Sequence, residues 1–168
     1  PTRFGPRGRV YMAAMTLRQV FELAVSRLRS GRPDEAEALC RQILAIERND
    51  SALHLLGLLA GRAGRLGEAV ELISQAIALN PAIAAYHNNL GEAYRRQGKP
   101  AEAIAAYQRS IELQPGDGLS YKNLADAFAE LGRTGDAVVA WQAAVNIEPG
   151  LAELHANLSA ALAVHGPP

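Results

Sequence analysis

Apolar and small residues return at fixed phases along this chain. Leu23, Leu56, Leu90, Leu124 and Leu158 are each followed by a small residue: Ala24, Gly57, Gly91, Ala125 and Ser159. A second series, Cys40, Ile73, Tyr107 and Trp141, lies one helical turn after Ala36, Ala69, Ala103 and Ala137. Spacings of one turn mark a helix face, and the return after 33 or 34 residues marks stacked units. The pattern predicts two helices per unit. The small residues sit where the helices must approach to about 8 Å, because a large side chain there would hold them apart.

Glycine punctuates each unit. It occurs at 31, 64, 98, 132 and 166, after runs with helical periodicity. There it is placed to take the left-handed conformation that ends a helix. Pro33 and Pro100 fall in the first turn of the next helix, where a missing N–H costs nothing. The acids Glu35, Glu68, Glu102 and Asp136 complement the positive end of that helix. Pro81, Pro115 and Pro149 close the second helices of three units. The first unit has Arg48 there and is one residue short, so its link over Glu47 to Ser51 is expected to turn differently.

These residues resemble the tetratricopeptide repeat family, whose 34-residue unit has this order of large residues, Gly or Ala, Ala and Pro. The match is densest from Tyr86 to Pro115, beginning YHNNLGEAY, and runs from about Leu17 to Gly166. The resemblance implies an all-α, right-handed superhelical solenoid whose first helices line a concave groove. Units are expected at 17–49, 50–83, 84–117 and 118–151, with a lone final helix at 152–165. Residues 1–16 are expected to be a flexible leader or an expression remnant. Arg27 and Arg48 depart from the family pattern, as terminal units commonly do.

Composition narrows the function. Seventeen Lys and Arg balance 17 Asp and Glu, which points to neither nucleic acid nor an anionic membrane. The charge is nevertheless divided: residues 1–110 hold 15 basic and 10 acidic side chains, and residues 111–168 hold 2 and 7. The apolar stretch after Arg9 is too short for a secretory segment, and the expected setting is a bacterial cytoplasm. The single cysteine, Cys40, excludes an internal disulfide framework and sits at a core phase.

Catalytic and metal-binding chemistry find no foothold. The histidines His54, His87, His155 and His165 form no ligand-spaced cluster, and His87 and His155 share a packing phase. GRAGRLG lacks the Lys-Ser/Thr of a phosphate loop, and no serine has a nucleophile-elbow context. The reading is a non-enzyme without cofactor or metal.

What remains is a surface. Asn89, Asn123 and Asn157 occupy one phase of successive first helices, although Asn is a mediocre helix former. An amide both donates and accepts, so a ladder of amides suits the backbone of an extended peptide. The resemblance places this phase in the groove, and the ladder is similar to that of O-linked N-acetylglucosamine transferases, whose repeat arms hold extended polypeptides. Asn88, Glu92, Arg95, Lys122, Asp126 and Glu153 are expected beside it. A clamp for a C-terminal carboxylate needs several Lys or Arg in the groove, and with Lys122 alone at a suitable phase it is disfavoured.

The last helix, AELHANLSAALAVH, is apolar over most of its circumference. Terminal units of solenoids normally turn a polar face outward. Leu154, Leu158 and Leu162 are therefore expected to form an assembly face for head-to-tail stacking, a heterologous contact that yields filaments. Two alternatives accompany the leading reading of a peptide-binding module: a self-stacking scaffold, and the substrate-recruiting arm of a larger enzyme such as a glycosyltransferase.

Overall fold

The computed structural model describes residues 15–150 and 152–165, except for the side chains of 152, 153, 162, 164 and 165. The expected leader, apart from Met15 and Thr16, lies outside the described residues, as does the turn at Gly166. The helices are α1 (Leu17–Arg29), α2 (Pro33–Leu44), α3 (Asp50–Arg62), α4 (Leu66–Leu79), α5 (Ala84–Arg96), α6 (Pro100–Leu113), α7 (Gly118–Glu130), α8 (Thr134–Ile147) and α9 (Ala152–His165).

Every turn inside a unit has one construction. Gly31, Gly64, Gly98 and Gly132 take φ of 71°, 78°, 72° and 70°, a region costly for residues with a Cβ. The following N–H reaches back to the helix's third-last carbonyl, as from Arg32 to Arg27 and Arg133 to Phe128, both 2.9 Å. Pro33 and Pro100 sit at the first helical positions of α2 and α6. The first link between units does differ. It has no proline, and the Asn49 side chain caps α3 by accepting from the Ala52 N–H at 2.9 Å.

Each first helix packs on its own second helix, and each second helix packs on the next first helix. Successive first helices also touch directly, α3 with α5 and α5 with α7, more closely than any two successive second helices do. The first helices therefore line the inner side of the superhelix. The small positions permit this packing. A Cβ added at Gly91 would stand 2.6 Å from the Tyr107 ring, and one at Gly57 would stand 2.5 Å from Ile73.

The core runs from Val20 to Leu158 as three clusters of buried side chains. Leu154 and Leu158 belong to it: they are 0% and 8% exposed, packed with Trp141, Ala144 and Val145. This corrects the expected assembly face. The Leu158 phase holds leucine in every first helix, and the Leu154 phase is buried in α3, α5 and α7; α9 buries both. The side chain of Leu162 lies outside the described residues.

Candidate functional site: the first-helix groove

The asparagine phase lies where neighbouring first helices meet. Asn89 Nδ2 donates to His54 Nε2 at 2.8 Å, one unit back. Asn123 Nδ2 donates to Asn88 Oδ1 at 3.1 Å, again one unit back. Each amide thus spends an N–H on the preceding helix, and its carbonyl oxygen has no partner among the described residues. The rung is an oriented acceptor. Asn157 is not held in this way, because the equivalent residue one unit back is Lys122, which has no acceptor.

His54 is suited to its part. Its ring packs on Tyr86 with centroids 4.4 Å apart. Burial lowers its pKa to about 4, only weakly opposed by Asp50, so the imidazole stays neutral and Nε2 accepts. Asn88, expected in the groove, is instead 8% exposed. Its Oδ1 also accepts from Ser120 at 3.4 Å, within a buried chain in which Ser110 and Ser120 are 2.9 Å apart.

The two groove acids have internal partners. Glu92 accepts from Arg95 at 2.9 and 3.1 Å and from the Tyr107 hydroxyl at 3.4 Å. Burial, and then the Glu92 charge, hold the Tyr107 phenol above its ordinary pKa, which keeps it a donor. One unit on, Asp126 accepts from Trp141 Nε1 at 3.1 Å and from Lys122 at 2.9 Å. Arg95 continues to Glu130 at 2.7 Å. The side chain of Glu153 lies outside the described residues.

Sequence reasoning missed the pairing of these acids with the aromatic residues. The signal was present: Glu92 and Asp126 appear only in units whose second helix carries Tyr or Trp. It also read His87 and His155 as packing residues. Each donates from Nε2 to a proline carbonyl, Pro81 or Pro149, at 2.9 Å, stitching consecutive units.

No group of three or more His, Cys, Asp or Glu that could hold a metal occurs among the described residues. No helix there is long and apolar enough to cross a membrane.

A stack of two-helix units with a polar inner groove defines a helical-repeat protein of the kind that binds other proteins. Two sequence models described as tetratricopeptide repeat match residues 54–118 and 20–42, together a little over half of the chain. The chain belongs to the tetratricopeptide repeat family, whose units are in general interaction modules rather than catalysts. Among curated proteins none matches the chain.

Solved structures agree. A crystal structure of MamA is 24% identical, with a TM-score of 0.77 over 84% of each chain. An O-GlcNAc transferase mutant from Thermobaculum terrenum is 30% identical, with a TM-score of 0.73. That match covers 77% of this chain but only 26% of the transferase. The first repeat domain of Spaghetti (RPAP3), bound to an HSP90 peptide, is 19% identical, with a TM-score of 0.67 over 70% of this chain and 94% of its own.

Proposed function

We propose that the chain is a non-catalytic, cytoplasmic protein-interaction module that holds an extended polypeptide in its first-helix groove. The observation that carries this reading is the orientation of Asn89 and Asn123. One N–H of each is tied to the preceding unit, so its carbonyl oxygen stands ready for a peptide N–H. Asn157 extends the row as an untethered third amide. Such a grip is indifferent to side chains, which leaves selectivity to the neighbouring groove residues. The peptide-bound RPAP3 domain supports the reading at the level of fold.

The 30% identity to the Thermobaculum terrenum transferase favours one second reading. In it, the same groove recruits polypeptide substrates for a larger enzyme. Head-to-tail stacking through Leu154 and Leu158 is not retained, since both are core residues.

The test replaces Asn89, Asn123 and Asn157 together by Ala and titrates labelled unstructured peptides by fluorescence anisotropy. Each lost hydrogen bond contributes about 0.5–1.5 kcal/mol, so affinity should fall about tenfold or more for all peptides alike. The helical circular-dichroism signal should be unchanged. Undiminished affinity would sink the ladder.

A further inference from the structure

The groove is not uniform, and its N-terminal half carries chemistry that the asparagine row does not use. Arg29, Arg62 and Arg96 hold one phase of α1, α3 and α5, each two residues before the turn glycine. All three are exposed, and none forms an ion pair or side-chain hydrogen bond among the described residues. Most other cations of the array are paired, including the adjacent Arg27 (with Glu35) and Arg95. In the fourth unit the phase passes to Glu130, which pairs with Arg95, and the row ends.

Two observations place the first and last of these arginines beside the groove, and Arg62 shares their phase. Arg29 lines a recess of about 340 Å³ together with Phe21, Glu22, Val25 and Ser26. Phe21 and Glu22 stand at the phases of Asn88 and Asn89, which in later units join consecutive first helices. Arg96 reaches back across α3, its Nη1 lying 3.7 Å from where a Cβ on Gly61 would be. One unit on from Phe21 and Val25, the same phases hold His54 and the half-buried Leu58. Helix ends favour cations in general. The dipole, however, does not require one phase, nor a recess floored by Phe21 and Val25.

We infer that units 1 to 3 select an acidic polypeptide segment that also carries bulky apolar side chains. Its carboxylates would meet Arg29, Arg62 and Arg96, and an apolar side chain would fill the recess beside Phe21 and Val25. Arginine suits this task because its fork of donors matches a carboxylate. The inference rests on the groove reading above and adds the chemistry of the bound segment. The apolar floor favours a polypeptide over a nucleic acid.

The probes are two fluorescein-labelled 12-residue peptides, one of Glu, Leu and Gly and one with Lys in place of Glu, and a single-stranded oligonucleotide of matched charge. Wild type should prefer the acidic peptide to the basic one, and the preference should shrink as salt rises. Replacing Arg29, Arg62 and Arg96 together by Gln should reduce acidic-peptide affinity about tenfold, as expected for three exposed ion pairs. It should also flatten the salt dependence. Phe21→Ser should weaken the acidic peptide without altering that dependence.

Equal binding of both peptides by wild type overturns the inference and leaves the groove reading standing. Tighter binding of the oligonucleotide than of the acidic peptide overturns it in favour of a nucleic acid. An asparagine triple variant with undiminished binding overturns the ladder alone, provided the arginine variant still loses the acidic peptide. Failure of wild type to bind either peptide overturns both.

Discussion

The two halves of the solenoid solve the same packing problem with opposite chemistry. In units 1 and 2 the corresponding phases of first and second helix are apolar, Val25 with Cys40 and Leu58 with Ile73. In units 3 and 4 the same phases hold Glu92 with Tyr107 and Asp126 with Trp141, joined by hydrogen bonds of 3.4 and 3.1 Å. The interfaces between units follow suit. Ile43 and Ala52 are wholly buried between units 1 and 2, whereas Ser110 and Ser120 are wholly buried between units 3 and 4.

The difference shows that the repeat sets volumes and leaves polarity free. A larger aromatic residue fills the second-helix position only if its O–H or N–H finds an acceptor. The acid on the first helix supplies one. The polar groove of units 3 and 4 is thus partly a consequence of their cores: the acids facing the groove are held there by the aromatic residues beneath them. In units 1 and 2 no such donor exists, those first-helix phases stay apolar, and Arg29 and Arg62 lack acidic partners among the described residues.

The most forceful way to break this comparison is to empty the polar core. Tyr107→Ala should cost about 3–5 kcal/mol, read by urea unfolding. Tyr107→Ile, which copies unit 2, should cost less. Glu92→Leu should cost about 1 kcal/mol less in that background than in wild type, since Glu92 there has lost the Tyr107 hydroxyl and keeps only its ion pair with Arg95. If its cost is the same in both backgrounds, the acid and the aromatic are independent.

A smaller effect separates the halves by pH. His54 has a pKa of about 4 when folded against an ordinary 6.5, so the unfolded chain takes up its proton first. Its stabilising contribution is complete above about pH 6.5 and falls progressively as pH drops towards 4, where it levels off. The loss amounts to at most about 3 kcal/mol. His54→Leu should abolish that part of the pH dependence, measured as the difference in unfolding free energy between variant and wild type. Protonation of the folded state also removes the acceptor for Asn89, so peptide binding should weaken only as pH falls through about 4.

The smallest effect concerns the buried serines. Ser110→Ala or Ser120→Ala alone should cost about 1–3 kcal/mol by orphaning a buried partner. The double variant should cost less than the sum of the two, because it restores the apolar character of the other interfaces. Strict additivity in the double-mutant cycle would show that the chain from Ser110 to Asn88 is not coupled.

Much of the architecture was legible before any coordinates. Glycine at a 33 or 34-residue return demands a left-handed turn, and proline two residues later demands a helix start, because both requirements act through local backbone geometry. The recurrence of Gly57 and Gly91 opposite Ile73 and Tyr107 is local in the same sense, once two helices are known to pair. The site was legible in part. Asn89 and Asn123 stand out by phase, and both lie where first helices meet.

The sequence could not say which way those amides face. That depends on His54 and Asn88, 35 residues away and on another helix, where an unprotonated imidazole or a carbonyl accepts their N–H. Nor could it show that Leu154 and Leu158 are core residues, since an apolar helix reads alike from every side until a neighbour covers one of them. Periodicity alone determined the fold, because turn and helix chemistry are written in nearby residues. Tertiary structure decided polarity, orientation and which surfaces remain free, because each depends on partners brought together only by stacking.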